Sequence, residues 1–405
     1  MRTLLFLFIA SICFTACSNN NQPKALVAAA QAVQVDSVPG ECPYLTKDNN
    51  GNAVLSWVRM INDSTTALCY AASIDGKTFS SPVVIPNSSN IEPHSENLPK
   101  IIFKPSGDMI ALWGSANPNP KNKYSGLVFY TQSFDNGKTW TSTKPLVNDP
   151  LSYDQRYYDV ALLPNGEVGI IWLDNRKTST KEGSALYFAS TSGRNGFEEG
   201  KLVSEPCCQC CRTDLFVDKN GNIHAVYRGI IQDSIRDMVH VVSTDAGKTF
   251  SEPKRINPDN WVIKGCPHTG PAITENEDGI HFAWFTGGKN KGCFYTKSTD
   301  NGKTFATADS ISSLGSHPQM ACLPNGELMI VWDELQFAKG KAIKRIGIQR
   351  RTIDGKSEGK EYVTAEDSNA SYPVITPLNE TSSVLAYTLN KNGLGYVAYQ
   401  FVSIK

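Results

Sequence analysis

The segment Ser298-Thr299-Asp300-Asn301-Gly302-Lys303-Thr304-Phe305 has the composition of a tight hairpin turn. The Asp carboxylate accepts backbone N–H groups of its own loop, the Gly supplies a positive φ angle, and the aromatic ring packs beneath a sheet. Near-perfect copies begin at Ser73, Ser133 and Ser243, and a fifth copy, Thr352–Lys356, lacks the aromatic residue. Because these copies recur along the chain, the sequence predicts a repeat architecture built from β-hairpins.

A second set of turns alternates with the first. Short polar segments that end in Gly recur at 48–51, 104–107, 163–166, 218–221, 277–279 and 323–326, each between two β-patterned runs. A further β-patterned run follows each Asp-containing turn. Each unit is therefore predicted to have four strands, a to d, with the Gly turn joining a to b and the Asp turn joining c to d. Four-stranded sheets repeated radially are the blades of a β-propeller, so the predicted fold class is all-β.

The Asp-containing turns resemble the Asp boxes, or BNR repeats, of bacterial sialidase-like propellers. This resemblance covers nearly all of the chain after its N-terminal segment and implies a propeller fold. The units are predicted to start near Pro43, Pro99, Asp159, Asp214, Pro271, Pro318 and Pro373. Seven starts favour seven blades, with six, the number in sialidases, as the alternative. The last unit has room for three strands only, so we expect Ala32–Ser37 to supply its outer strand and close the ring.

The N-terminal segment is typical of an export signal. A basic start at Arg2 precedes the apolar run Leu4–Phe14, which is too short to span a bilayer as a helix. The following Thr15-Ala16-Cys17 resembles a bacterial lipobox, in which the Cys carries the lipid. The predicted division is a lipoprotein signal peptide over 1–16, a lipid-anchored linker over 17–31 and a single Asp-box propeller over 32–405. We expect the mature protein in the bacterial cell envelope, periplasmic or on the outer-membrane surface, attached to the membrane by its lipid alone.

The charge balance bears on the class of partner. The 39 Lys and Arg residues cancel the 39 Asp and Glu residues, so the formal net charge is zero. Such a chain has no electrostatic reason to bind nucleic acid or a membrane surface. Hydrophobic residues make up 40% and charged residues 19% of the chain, which excludes a disordered protein. The charge balance therefore predicts no nucleic-acid partner, and the resemblance to sialidase-like propellers implies a glycan or glycoconjugate ligand.

The predicted topology collects polar residues at one end of the central channel, called the mouth here. The d-to-a and b-to-c loops surround it, and propellers usually bind ligands at such loops. By contrast, His224, His240 and His281 lie inside β runs and are expected in the core. The residues predicted to bind substrate at the mouth are Arg156, Arg212, Arg228, Arg236, His94, His268, His317 and Trp113.

The resemblance also implies a chemistry. Sialidases hold the sugar carboxylate with three Arg side chains, in bidentate contacts that Lys does not match. A Tyr assisted by a Glu attacks the anomeric carbon, and an Asp serves as acid and base. The family's first-blade Phe-Arg-Ile-Pro motif is missing, since this chain has Glu41-Cys42-Pro43-Tyr44 there, so no catalytic residue is transferred. From the residues alone, the catalytic candidates are Tyr158, Tyr372, Glu96, Glu334 and Asp159.

The cysteines form a separate group. Cys69, Cys293 and Cys322 lie in β runs and are expected to be buried thiols. At the mouth lie Cys42, Cys207, Cys208, Cys210, Cys211 and Cys266. In an exported protein such cysteines tend to form disulfides. The spacing also fits a thiolate/imidazole site for zinc or copper, with candidate ligands Cys207, Cys208, Cys210, Cys211, Cys266 and His268.

Two functions from different classes fit these observations. The first is a sialidase-like enzyme that binds and hydrolyses acidic glycans at the mouth and requires no cofactor. The second is a non-catalytic surface propeller that binds a glycan, a protein or, through the Cys/His cluster, a metal. Likeness of fold does not separate them. Three guanidinium groups converging at the mouth would favour the enzyme.

Overall fold

The computed structural model describes residues 25–338 and 340–405, and all the regular structure in these ranges is β-strand. The predicted signal peptide, 1–16, and the predicted lipidation site, Cys17, lie outside the described residues. In the described ranges, no helix has the length and apolar character needed to cross a membrane.

The strands group into seven antiparallel sheets that contain four consecutive strands each, apart from the last. The chain begins with β1 (Val27–Ala29) and β2 (Val33–Gln34). Blade 1 contains β3 (Gly40–Lys47), β4 (Ala53–Asn62), β5 (Thr65–Ser73) and β6 (Val83–Ser89). Blade 2 contains β7 (Lys100–Phe103), β8 (Met109–Ala116), β9 (Gly126–Ser133) and β10 (Lys144–Pro145). Blade 3 contains β11 (Gln155–Leu162), β12 (Val168–Asp174), β13 (Ser184–Ser190) and β14 (Lys201–Cys207).

The second half of the ring repeats this order. Blade 4 contains β15 (Asp214–Val217), β16 (Ile223–Arg228), β17 (Met238–Ser243) and β18 (Lys254–Arg255). Blade 5 contains β19 (Ala272–Asn276), β20 (Gly279–Thr286), β21 (Gly292–Ser298) and β22 (Asp309–Ser312). Blade 6 contains β23 (Gly315–Cys322), β24 (Leu328–Ala338), β25 (Lys341–Arg351) and β26 (Ser357–Tyr362). Blade 7 contains β27 (Ala370–Asn379), β28 (Ser382–Lys391) and β29 (Leu394–Ile404), and β1 and β2 both pair with β29.

This topology is a seven-bladed β-propeller, which confirms the predicted fold class and blade number and excludes the alternative of six. The N-terminal strand completes blade 7, as predicted. Its pairing begins earlier than Ala32, because Val27 is already paired with Ile404. Farther along, Val33 is paired with Tyr399.

The Asp boxes have the predicted turn chemistry. In the copy at the end of β21, Asp300 Oδ1 accepts the backbone N–H of Thr304 at 2.8 Å. The Ser298 hydroxyl oxygen accepts the N–H of Gly302 at 2.8 Å. Gly302 has a φ of +79°, and a Cβ there would meet the His240 ring at 2.2 Å. The turn therefore needs Gly both for its backbone and for its packing on the neighbouring blade.

The core lies within and between the blades. The second strands of blades 1, 2, 3, 5 and 6 each contribute a fully buried Trp, namely Trp57, Trp113, Trp172, Trp284 and Trp332. Trp113 is therefore a core residue and does not belong to the mouth, where it was predicted to bind substrate. His224, His240 and His281 are buried, as predicted.

Candidate functional site

Five blade starts share an unusual backbone conformation. Cys42, Tyr157, His268, His317 and Tyr372 have φ angles between 49° and 61°. All except His268 lie at a register shift between the first two strands of their blade. A bulge of this kind re-aims a side chain, and positive φ angles in bulky residues cluster at functional sites. The same backbone conformation therefore recurs at the start of several blades, around the mouth.

The side chains at these positions contact one another across blade boundaries. The His317 and Tyr372 rings lie 4.2 Å apart between centroids. His94 contacts Tyr157 edge-on at 5.4 Å and His268 at 5.5 Å. Burial, His268 and Arg156 lower the pKa of His94 to about 4, so its imidazole is neutral at pH 7. The side chains that meet around the mouth are thus mostly aromatic.

The carboxylate of Asp333 contacts two of these blade-start residues. Its buried carboxylate lies 2.7 Å from His317 Nδ1 and accepts the backbone N–H of Tyr372 at 2.9 Å. Lys344 Nζ is 3.1 Å from the other oxygen. Burial acts to raise the pKa of Asp333, but His317 and Lys344 outweigh it and lower that pKa. Asp333 therefore remains ionised and holds His317 and Tyr372 in place.

A cavity of about 270 Å³ opens beside these side chains at the mouth. Arg156 lines it, with Nε 2.7 Å from Asp154 Oδ1 and Nη2 2.8 Å from Asp154 Oδ2. Arg156 Nη1 has no hydrogen bond to any described residue. The other lining residues supply carboxylate, imidazole, amide, phenol and thiol groups, from Glu92, His94, Asn97, Asn122, Tyr124, Tyr157, Gln209, Cys210, Cys266 and His268.

The central channel below contains a buried ionic cluster. Lys100 Nζ lies 3.5 Å from Asp159 and donates to the Tyr158 carbonyl at 2.9 Å. Burial and the nearby Asp159 raise the pKa of Asp214 well above its usual range. A cavity of about 150 Å³ in this channel is lined by Lys100, Asp159, Arg212 and Asp214, among others.

Three cysteines converge between blades 3 and 4. Cys208 Sγ lies 3.6 Å from Cys210 Sγ and 3.9 Å from Cys211 Sγ, and all three side chains are buried. Contacts with the thiols of Cys210 and Cys211 lower the pKa of Cys208, and contacts with Cys208 and Cys211 raise the pKa of Cys210. None of the nine cysteines in the described residues is in a disulfide, so the structure does not have the predicted disulfides.

The comparisons with known proteins agree with this architecture. A family model for the BNR repeat-like domain matches residues 71–382. The chain belongs to the BNR repeat-like family. Its seven blades and its Asp boxes make it a seven-bladed BNR propeller.

Several solved structures resemble this BNR propeller at low sequence identity. A Dyadobacter fermentans protein of unknown function is 16% identical with a TM-score of 0.56, covering 94% of this chain and 99% of that one. A Hadza microbial sialidase is 13% identical with a TM-score of 0.48, covering 87% and 76%. The K499G mutant of NanB sialidase from Streptococcus pneumoniae is 11% identical with a TM-score of 0.49, covering 90% and 85%. A search of the curated proteins found no match. At such identities the likeness concerns the fold.

The four arginines predicted to bind substrate lie in different surroundings in the BNR propeller. Arg156 lines the mouth cavity, and Arg212 lines the channel cavity. Arg236 lines a neighbouring cavity of about 380 Å³. Arg228 is buried and donates to backbone carbonyl groups. The structure therefore does not bring three guanidinium groups into one cavity.

The catalytic candidates are also dispersed. Tyr158 is in the core, where its hydroxyl donates to the Leu112 carbonyl at 3.1 Å, so the neighbouring Tyr157 is the tyrosine of the mouth. Glu334 is held inside blade 6, where it accepts from Trp332 Nε1 at 2.8 Å. Asp159 lies in the channel, and only Glu96 and Tyr372 remain near each other.

The metal-ligand candidates divide in the same way. Cys208, Cys210 and Cys211 come together, whereas Cys207 turns toward the Ser204 carbonyl at 3.5 Å. Cys266 is exposed, and it lines the mouth cavity with Cys210 and His268. Of the other cysteines, Cys69 and Cys293 are buried as predicted, and Cys322 is half-buried.

Sequence reasoning missed Tyr157 and Lys100, placed Asp154 at the mouth without assigning it a role, and identified Asp214 only as the start of a blade. A signal for the blade starts is present, because Cys42, His317 and Tyr372 each precede a Pro. Because a Pro has no N–H to donate to a neighbouring strand, it marks a place where the regular strand pairing is interrupted. Nothing comparable marks Lys100, which is buried by the closure of the ring.

Proposed function

We propose that this BNR propeller binds acidic glycans in the mouth cavity. The observation that carries the proposal is Arg156, held rigidly by Asp154 at the cavity with one face of its guanidinium unpaired. A fixed guanidinium suits a sugar carboxylate, and the side-chain NH2 group of Asn97, which also lines the cavity, suits a sugar hydroxyl group. The cavity volume, about 270 Å³, lies near the lower end for ligand pockets and fits a terminal sugar.

Binding is better supported than hydrolysis. A sialidase-type nucleophile is a Tyr activated by a carboxylate. Burial has the largest effect on the phenol groups of Tyr157 and Tyr372, and it raises the pKa of both. Activation of a nucleophile would require the opposite, a lowered pKa. The dispersed arginines add to this argument, because they leave Arg156 to hold the carboxylate alone. We therefore propose a glycan-binding propeller as the primary function.

The binding test uses a sialoside and its methyl ester, in which the carboxylate charge is replaced by a neutral methyl ester group. We expect the wild-type protein to prefer the acid by at least tenfold, or about 1.4 kcal/mol. Arg156→Ala should lose that preference in isothermal titration calorimetry. Arg194→Ala is the matched control, because Arg194 is exposed and lies on the opposite face beside Asp108. Equal affinity of the wild-type protein for acid and ester, or an unchanged preference in Arg156→Ala, would reject the proposal.

Hydrolysis is tested with the same sialosides. The binding proposal predicts no release of free sialic acid above the uncatalysed rate. Release that is abolished by Tyr157→Phe or Tyr372→Phe, but retained by Tyr124→Phe, would show that the mouth is catalytic after all.

We further propose that the protein is exported and anchored in the cell envelope by a lipid on Cys17. The support is the sequence Leu4–Phe14 followed by Thr15-Ala16-Cys17. Cys17→Ser should move the protein from the membrane fraction to the soluble fraction of its native host. Unchanged fractionation, with no lipid on the N-terminal peptide by mass spectrometry, would contradict this proposal.

A further inference from the structure

The three converging thiols have the spacing of a metal site. A zinc–sulfur bond is about 2.3 Å, so two thiolates of a tetrahedral site lie about 3.8 Å apart. The separations of 3.6 and 3.9 Å from Cys208 Sγ to Cys210 and Cys211 lie on either side of that value. All three sulfur atoms lie within 4.8 Å of one another.

The charge around the cluster provides independent support. Arg228 is 1% exposed, and its Nε donates to Cys211 Sγ at 3.3 Å. Its other hydrogen bonds go to the carbonyl oxygens of Arg236, Thr269 and Phe285, and it forms no ion pair within the described residues. The guanidinium also lies 4.9 Å from the centroid of the Trp261 ring. Burying a charge without an anion beside it is costly, so an anion there would stabilise Arg228.

Nearby carboxylates do not meet this need. The Asp259 carboxylate accepts hydrogen bonds from Trp284 Nε1 at 2.8 Å and from Asn257. Its charge interacts with that of Arg228 only at longer range. A metal bound by three thiolates carries a net charge of −1 with Zn²⁺ and −2 with Cu⁺. Such a cluster would supply the missing anion, and an N–H···S contact from Arg228 would support it from outside the ligand set.

The cluster is buried, but one of its thiols borders two cavities. Cys210 lines both the mouth cavity and the neighbouring cavity of about 380 Å³. Cys266 lines the same two cavities. A metal ion therefore has an entry path on the side of Cys210, where a fourth ligand has room.

We propose that Cys208, Cys210 and Cys211 bind one thiophilic metal ion, Zn²⁺ or Cu⁺, as thiolates. On binding, three S–H bonds break, three sulfur–metal bonds form and three protons pass to solvent, with no change of oxidation state. The site is distinct from the glycan cavity in its ligands, although Cys210 borders both.

The experiment measures metal stoichiometry on the full-length protein. The protein is reduced, stripped of metal under anaerobic conditions and titrated with Zn²⁺ or Cu⁺ against a competing chelator, followed by elemental analysis. We expect one ion per chain, and a loss of at least tenfold in affinity in Cys208→Ala and in Cys211→Ala. Cys69→Ala is the matched control, because it removes an equally buried thiol from the core of blade 1. The two titrations identify the metal.

A second measurement needs no variant. Co²⁺ added to the reduced wild-type protein should produce thiolate-to-metal charge-transfer absorption, and the metal should protect Cys208, Cys210 and Cys211 from alkylation. The proposal is overturned if neither metal binds, if Cys208→Ala binds as tightly as the wild type, or if these cysteines form disulfides that resist mild reduction. Failure here leaves glycan binding untouched, because its test depends on Arg156.

Discussion

Glu96 and Arg212 form a buried pair between the mouth and the channel. Arg212 Nε lies 3.7 Å from Glu96 Oε2, and that oxygen has no hydrogen-bond partner among the described residues. Burial raises the pKa of Glu96, and the Arg212 charge opposes this effect. The two side chains are 2% and 5% exposed, so each charge helps to compensate the other in a site shielded from water.

We predict that Arg212→Met destabilises the fold by about 3–5 kcal/mol at pH 7, because it leaves a buried carboxylate without its counter-charge. The loss should shrink as the pH is lowered, because Glu96 then takes up a proton and becomes neutral. Urea denaturation at several pH values measures both effects. The double variant Glu96→Gln with Arg212→Met should recover part of the loss. A loss in Arg212→Met that does not depend on pH would show that packing, and not charge, explains the effect.

At the scale of single elements, the N-terminal strand closes the ring. Val27 is 4% exposed in the core of blade 7, while the following Ala28 is exposed. Glu361 of blade 6 accepts the Val27 N–H at 2.9 Å, so the strand is attached to two blades at once. Closure of this kind removes two sheet edges that would otherwise be exposed.

We predict that Val27→Asp lowers the thermal unfolding midpoint by several degrees, because it puts a charge into the core of the closing blade. Ala28→Asp, one residue away on the solvent side, should change the midpoint little. Circular dichroism on heating compares the two variants. Similar midpoints for both would indicate that the N-terminal strand contributes little to closure.

At the scale of the whole molecule, buried imidazoles link stability to pH. Burial lowers the pKa of His281 and His94 to about 4 and that of His240 to about 3. In the folded protein the pKa of each imidazole lies below its value of 6.5 in the unfolded chain. The contribution of each imidazole to stability is therefore present above pH 6.5 and is lost as the pH falls through the pKa of the folded state.

We predict that the free energy of unfolding falls as the pH drops from about 6.5 to about 4, by up to ~1.4 kcal/mol per pH unit for each imidazole. His281→Gln should reduce this slope, because it removes one titrating group. Urea denaturation across this range measures the slope. Stability that is constant down to pH 4 would contradict the prediction.

The sequence by itself determined the architecture of this protein. The Asp boxes and Gly turns are encoded in short segments, and their spacing sets the number of blades. The need to close the ring follows from the missing fourth strand of the last unit. These features were predictable because turn chemistry is local and each blade repeats it.

Only the tertiary structure decided which side chains share the mouth. The bulge between Arg156 and Asp159 turns Tyr157 to the mouth and Tyr158 to the core, because a one-residue shift in a strand reverses its faces. The directions of neighbouring cysteines were likewise decided by the tertiary structure. Cys207 ends strand β14 and packs inward, whereas Cys208 begins the loop. Whether arginines from separate blades converge depends on how the whole ring closes. That is a property of long-range packing, and no local pattern in the chain encodes it.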